Sequence, residues 1–123
     1  MRSLLLAISL LVFASTAAVA DPAADAAAQA AADSRVGNTV VATDPDGTAT
    51  HIYWRADHSF SAWRPNWQSE GNWEVKDGKL CLTYQIARPG MGLSECMATA
   101  TAHKVGDVWE NDGRKVTLAA GRQ

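Results

Sequence analysis

The chain has 123 residues, with 11 Lys and Arg against 13 Asp and Glu, so its formal net charge at pH 7 is −2. These charges are spread along the sequence without a basic run or stripe, which argues against nucleic acid and against an anionic membrane surface as partners. The composition also includes two cysteines and five tryptophans.

The first 20 residues have the form of a signal peptide. Arg2 provides a positive charge, Leu4 to Phe13 form a short apolar stretch, and Ala-Val-Ala at 18–20 is the pattern that signal peptidase cleaves before Asp21. The apolar stretch is shorter than the roughly 20 residues that cross a bilayer, so no membrane span is expected. The sequence therefore predicts an exported protein, periplasmic or secreted. Loss of Arg2 leaves ten basic against thirteen acidic residues, a formal charge of −3.

Residues 21–35 are rich in alanine and differ sharply from the rest of the chain. Asp21 is a suitable N-cap, Pro22 fits the first helical position, and alanine is the best helix former. A dozen residues are nevertheless marginal for an isolated helix, and this segment has no large apolar side chain with which to dock. We therefore predict a flexible or partly helical tether that leads into a small domain spanning residues 36–123.

From Asn38 onward the sequence has the pattern of short antiparallel strands joined by tight turns. Strand-like stretches are separated by turn signals such as Asp-Gly at 77–78 and Asn-Asp-Gly at 111–113. The clearest alternation of apolar and polar residues runs from Lys79 to Ile86. About seven or eight strands are predicted, and the fold class is all-β. A small up-and-down meander barrel is the first choice; an open twisted sheet and a two-sheet sandwich are the alternatives.

Cys81 and Cys96 are predicted to form a disulfide, because a lone cysteine pair in an oxidising compartment is typically bonded. The bridge would join neighbouring strands across the loop at residues 87–92. In the alternating pattern Cys81 points away from Leu80 and Leu82, which places the bridge outside the core. For a small domain, a bridge that closes about 15 residues contributes roughly 3 kcal/mol in the chain-entropy model.

No motif for catalysis, metal or cofactor binding is present in the sequence. His51, His58 and His103 lie far apart without paired-ligand spacing, and the cysteines are committed to each other, so neither a metal nor a cofactor is expected. There is no nucleophile elbow and no phosphate-binding loop. The aspartates of the turns are better explained as turn-stabilising residues than as a catalytic pair. The chain is therefore not expected to be an enzyme.

The tryptophans are the most informative side chains. Trp54 and Trp73 are in phase with apolar strand neighbours and are predicted to fill the core. Trp63, Arg64 and Trp67 surround a proline-containing turn, and they are the predicted ligand-binding residues because such an arrangement can stack on a sugar or a peptide. The alternative is that the same residues form a structural plug.

Four short motifs occur in order along residues 36–121: Thr-Asp-Pro-Asp-Gly-Thr at 43–48, Gly-Asn-Trp-Glu-Val at 71–75, Asp-Gly-Lys-Leu-Cys-Leu at 77–82 and Glu-Cys at 95–96. The pattern resembles a group of small exported proteins of Gram-negative bacteria, which implies the fold and no particular activity. Gly71-x-Trp73 is distantly similar to the lipocalin signature. Chain length, export, the single disulfide and the leading segment resemble the periplasmic inhibitors of secreted metalloproteases, in which an N-terminal arm enters the protease cleft.

The sequence thus predicts an exported, non-enzymatic β domain that binds a small or extended ligand or helps to maintain the envelope. A periplasmic protease inhibitor, with residues 21–34 as its arm, is the main alternative. A hydrolase is the third, and it would require His51, His58 and a carboxylate to converge in one pocket.

Overall fold

The computed structural model describes residues 21–97 and 100–123, and the predicted signal peptide at residues 1–20 lies outside these ranges. Within them, one α-helix precedes eight β-strands. The elements are α1 (Pro22–Arg35), β1 (Asn38–Thr43), β2 (Ala49–Trp54), β3 (Ser59–Arg64), β4 (Trp67–Lys76), β5 (Lys79–Tyr84), β6 (Ser94–Met97), β7 (Val108–Asn111) and β8 (Arg114–Ala120). No helix in the described ranges is long and apolar enough to cross a membrane.

The strands form one antiparallel sheet in the order β6-β5-β4-β3-β2-β1-β8-β7. Strands β1 to β6 are a continuous meander, and the β7–β8 hairpin pairs with the free side of β1 through β8. The sheet curls into a half-barrel, and β6 and β7 are its two edges. The prediction of a small, all-β, barrel-like fold with seven or eight strands is confirmed.

Two of the hairpins close as their sequences predict. Asp77 and Gly78 connect β4 to β5 with φ values of 51° and 72°, and Asp112 and Gly113 connect β7 to β8 with φ values of 50° and 76°. Both residues of each turn are left-handed, which is the conformation that a two-residue hairpin needs to match the twist of its strands. Asp-Gly is therefore the sequence signal that sets the register of these two strand pairs.

The core lies on the concave face of the sheet, where alternate side chains of every long strand meet. Trp54, Phe60, Leu80, Leu82 and Leu118 are its most deeply buried large apolar side chains. Phe60 packs edge-on against the Tyr84 ring with 5.1 Å between centroids. As predicted, Trp54 and Trp73 belong to this core, with their rings 5.9 Å apart.

Helix α1 differs from the predicted tether. It is helical throughout Pro22–Arg35, and Ala28, Ala31 and Ala32 are buried against the concave face. Asp21 caps the helix by accepting a hydrogen bond from the Ala23 N–H at 3.0 Å. The physical reason for the difference is that small side chains let the helix approach closely, while the aromatic side chains of the sheet supply the contact area.

Cys81 and Cys96 form the predicted disulfide. They are directly opposite each other on β5 and β6, with 4.0 Å between their Cα atoms. Because side chains alternate along a strand, the bridge lies on the face of β5 opposite to Leu80 and Leu82, both of which are in the core. The bridge therefore fastens edge strand β6 to the rest of the sheet.

Candidate functional site

A cleft lies at the gap between the two edge strands, beside the C-terminal end of α1. Its outer part has a volume of about 490 Å³ and is open to solvent. A smaller inner part of about 160 Å³ reaches into the concave face. Arg35, Met97 and Trp109 line both parts, so the two adjoin each other.

Arg35 is the central side chain of the cleft. It is 4% exposed, and its guanidinium carbon lies 5.7 Å from the Trp54 ring centroid and 6.0 Å from that of Trp109. Its Nη1 atom donates to the carbonyl oxygens of Ala31 at 2.6 Å and Thr101 at 3.2 Å. Desolvation by burial lowers the pKa of Arg35 to about 10, so the side chain is still a cation at neutral pH.

No carboxylate within the described residues forms an ion pair with Arg35. The ion pairs of the described chain involve other arginines, namely Arg55, Arg64, Arg88 and Arg114, and one histidine, His103. Arg35 is held instead by two neutral carbonyl groups and two indole rings. A buried cation of this kind is unusual, because charged side chains are rarely fully buried unless they are paired.

The local sequence explains how Arg35 reaches this place. Arg35 is the last residue of α1, where a cation is favoured by the helix dipole and by the free carbonyl groups of the last turn. The Ala31 carbonyl that it binds lies one turn earlier in the helix and also accepts a hydrogen bond from the Ser34 hydroxyl. The buried alanine side chains bring this end of the helix close enough to the sheet for the guanidinium to meet Trp54.

The outer wall of the cleft is a stacked pair, Trp109 on β7 and His103 in the preceding segment. Their ring centroids are 3.5 Å apart and the ring planes differ by 3°. His103 is anchored on both sides, since its Nε2 lies 3.1 Å from the Thr101 hydroxyl and its Nδ1 lies 3.5 Å from a carboxylate oxygen of Asp107. Its backbone N–H also donates to the Ser34 hydroxyl of α1 at 3.2 Å. This wall therefore has a fixed orientation relative to the helix.

The inner part of the cleft is lined mainly by apolar side chains of the concave face. They come from strands at both sides of the half-barrel: Val40, Ala42, Ile52, Trp54, Leu82, Met97, Trp109 and Val116. The gap between β6 and β7 leaves this part of the core uncovered by backbone pairing, which is why a cavity persists here. An apolar chamber next to a buried cation is suited to a ligand with one apolar and one anionic end.

Three carboxylates also line the cleft, Glu95, Glu110 and Asp112. Glu95 is already engaged, because it accepts a hydrogen bond from the Tyr84 hydroxyl at 2.6 Å and lies 3.5 Å from Arg88. Glu110 and Asp112 are exposed to solvent at the mouth. Burial, followed by the charge of Glu95, raises the pKa of Tyr84 far above its ordinary value.

The structure places the two tryptophans of the predicted ligand site on opposite faces of the sheet. Trp63 is on the convex face, stacked on His51 with 5.3 Å between centroids. Trp67 is on the concave face, with its ring 5.7 Å from that of Tyr84. Arg64 lies 3.6 Å from Asp44. The three predicted residues border one shallow depression beside the turn, but the two indoles do not form a common stacking surface.

The three histidines are not brought together. Each stacks on a different tryptophan: His51 on Trp63, His58 on Trp73 and His103 on Trp109. In the ranges 21–97 and 100–123 no group of three or more His, Cys, Asp or Glu side chains is arranged to hold a metal ion.

The contact between Arg35 and Trp109 in the cleft was not predicted from the sequence. One signal was available, because Arg35 is the only Lys or Arg between Arg2 and Arg55, and it ends a segment of small residues. Its partner Trp109 is 74 positions further along the chain, and only the folded sheet brings the two side chains together.

Comparisons with protein-family models, with curated proteins and with solved structures gave no match. The fold and the site define an all-β half-barrel domain with a helix docked on its concave face and a cleft at its open edge.

Proposed function

We propose that this chain is an exported, non-enzymatic domain that binds a small ligand in the cleft between β6 and β7. The observation that carries the proposal is Arg35, a buried cation with no carboxylate partner among residues 21–97 and 100–123, placed where a mainly apolar chamber meets an open cleft. A buried charge without a partner destabilises a small domain. A ligand with a negatively charged group would supply the ionic contact to Arg35 and offset this cost.

The other polar groups of the cleft support binding rather than catalysis. A nucleophile or a general base needs a reactive group that is free to act on a substrate. Here Cys96 is in the disulfide, and Glu95 is engaged by Tyr84 and Arg88. The His103 ring is stacked on Trp109 and anchored at both nitrogens.

The docked helix supports ligand binding over protease inhibition. An inhibitory arm would have to leave the domain and enter a protease cleft, whereas α1 buries Ala28, Ala31 and Ala32 against the sheet. Releasing the helix would expose the underlying core and remove Arg35 from its indole contacts. For these reasons the inhibitor alternative is the weaker proposal.

Export is proposed from the leading 20 residues together with the disulfide, since such bonds persist in oxidising compartments. The test is alkylation of the naturally produced protein before any reduction. We expect no thiol to react until a reductant is added. Rapid alkylation of both cysteines in unreduced material would contradict export to an oxidising compartment.

A small-molecule fragment screen by protein NMR tests ligand binding, with the Trp109 indole as the reporter of the cleft and the Trp63 indole as the reporter of the convex face. We expect binding fragments to shift the Trp109 resonance and to leave Trp63 unchanged. In Trp109→Ala, with the Met97 methyl group of the cleft as reporter, fragment binding should be weakened at least tenfold in a protein that keeps its dispersed spectrum, and Trp63→Ala is the matched control. Shifts confined to Trp63, or no binding fragment at all, would overturn the proposal.

A further inference from the structure

We infer that the cleft takes a short aliphatic monocarboxylate, with its carboxylate on Arg35 and its tail in the inner chamber. This inference rests on the proposed ligand-binding function and deepens it by naming the chemical class of the ligand. Three features carry it: the unused hydrogen-bonding edge of Arg35, the size and lining of the inner chamber, and the distribution of charge around the mouth.

The first feature is the set of N–H groups that Arg35 leaves free. A guanidinium has five N–H donors, two on each terminal nitrogen and one on Nε. The two hydrogen bonds to the carbonyl groups of Ala31 and Thr101 both come from Nη1. Neither Nη2 nor Nε donates a hydrogen bond to another described residue. These atoms form one edge of the guanidinium, and that edge matches the two oxygens of a carboxylate in a bidentate pair.

The second feature is the inner chamber, which Arg35 also lines. Its volume of about 160 Å³ corresponds to about five water-sized groups of roughly 30 Å³ each. Its lining is mostly aliphatic and aromatic, with Val40, Ile52 and Val116 among the lining side chains. A tail of about five carbons fills such a space and contacts these apolar side chains.

The third feature selects a single negative charge. Glu110 and Asp112 stand at the mouth, and Glu95 lines the inner chamber. Arg114, the other cation of the chamber, is already paired with Asp44 at 3.1 Å. A dianion such as a phosphate monoester would be repelled more strongly by these carboxylates, and among the described lining residues it would find one cation outside an ion pair rather than a cluster. A monocarboxylate needs one guanidinium.

The first experiment uses the unaltered protein and four probes that differ in the head group or the tail. Hexanoate is compared with hexan-1-ol, hexylamine and acetate by NMR titration at pH 7, with the Trp109 indole as reporter. We expect hexanoate to bind at least tenfold more tightly than hexan-1-ol, because the alcohol lacks the ionic contact. Acetate should bind at least tenfold more weakly than hexanoate, because it leaves the chamber empty. Hexylamine should not bind.

The second experiment changes the cation. Arg35→Met should reduce hexanoate affinity at least tenfold and leave hexan-1-ol affinity within threefold. Arg35→Lys keeps a charge but cannot make a bidentate contact. Its affinity for hexanoate should therefore lie between that of the unaltered protein and that of Arg35→Met. Arg122→Met is the matched control, because Arg122 lies over Trp63 on the convex face, and it should bind hexanoate like the unaltered protein. If a variant at position 35 fails to fold, the four-probe comparison still decides the question.

The outcomes separate this inference from the proposed function. If hexan-1-ol binds as tightly as hexanoate, or if Arg35→Met binds hexanoate normally, the carboxylate assignment is overturned while ligand binding in the cleft stands. If no probe shifts the Trp109 resonance, the carboxylate assignment is overturned as well, and the fragment screen decides independently whether the cleft binds a ligand.

Discussion

The carboxylate of Asp25 accepts a hydrogen bond of 2.6 Å from the backbone N–H of Gly78, which joins the first turn of α1 to the β4–β5 hairpin. The same helix ends at Arg35 inside the cleft. Contacts at its two ends therefore fix the position of α1, and the N-terminal contact contributes to the geometry of a site at the other end of the helix.

Replacing Asp25 by Ala should destabilise the domain by about 2 kcal/mol, because a charge-assisted hydrogen bond is lost and the Gly78 N–H loses its partner. Urea unfolding followed by tryptophan fluorescence measures the change. Asp33→Ala is the control, because among the described residues the Asp33 side chain bonds only to Gln29, on the exposed side of α1. Equal stability losses in the two variants would contradict an anchoring role for Asp25.

Replacing Gly71 by Ala should also destabilise the domain, by about 2 kcal/mol or more. Gly71 is opposite Phe60 on the neighbouring strand, and an added methyl group would overlap both the Phe60 ring and the Thr83 carbonyl oxygen. This close approach gives a physical reason for glycine in the Gly-x-Trp motif. Gly92→Ala is the control, since a methyl group there meets no atom closer than 4.0 Å, and it should change the free energy of unfolding by less than about 0.5 kcal/mol.

Above about pH 10 the unaltered protein should lose stability relative to Tyr84→Phe. Arg35, whose pKa is lowered on folding, contributes a slope of opposite sign in both proteins, so the comparison between them isolates Tyr84. Burial and Glu95 raise the pKa of this hydroxyl in the folded protein above the ordinary value of 10.0, so above that pH the unfolded chain releases a proton that the folded protein retains. The free energy of unfolding should then decrease by up to about 1.4 kcal/mol per pH unit from this group. In Tyr84→Phe this slope should be absent. Parallel pH profiles for the two proteins above pH 10 would refute the assignment.

Arg35→Met should stabilise the unliganded protein, or leave its stability unchanged. The substitution removes a buried cation that has no ion-pair partner in the described part of the chain, and a flexible apolar side chain can fill the space between Trp54 and Trp109. The gain should be about 1 kcal/mol, because two hydrogen bonds to carbonyl groups are lost at the same time. Thermal unfolding without ligand measures it. A loss of several kcal/mol would mean that Arg35 serves the fold rather than a ligand.

The fold could be predicted from local patterns wherever a strand contacts its neighbour in sequence. Asp-Gly at 77–78 and at 112–113 specifies tight hairpins, and the alternation from Lys79 onward specifies which face of β5 is buried. The disulfide follows from the same register, because Cys81 and Cys96 are directly opposite each other. These features depend on local backbone conformation and on side-chain alternation, both of which can be read from short stretches of sequence.

The helix and the candidate site could not be predicted in the same way. Ala31 and Ala32 carry no signal of burial in the sequence, because their burial depends on a sheet that offers large aromatic side chains to small partners. Trp63 and Trp67 also show what local sequence leaves open. They are four positions apart, yet they lie on opposite faces of the hairpin, because Arg64 pairs with Trp67 across the turn and Trp63 pairs with Gln68.

The sequence by itself determined the strands, their turns, the disulfide and the aromatic core, because these follow from side-chain alternation, left-handed turn residues and the pairing of two cysteines. Only the tertiary structure decided that the sheet stays open between β6 and β7, that α1 docks on its concave face, and that Arg35 meets Trp54 and Trp109 there. Those contacts join segments up to 74 residues apart. Their formation depends on the curvature of the whole sheet, which no short stretch of sequence encodes.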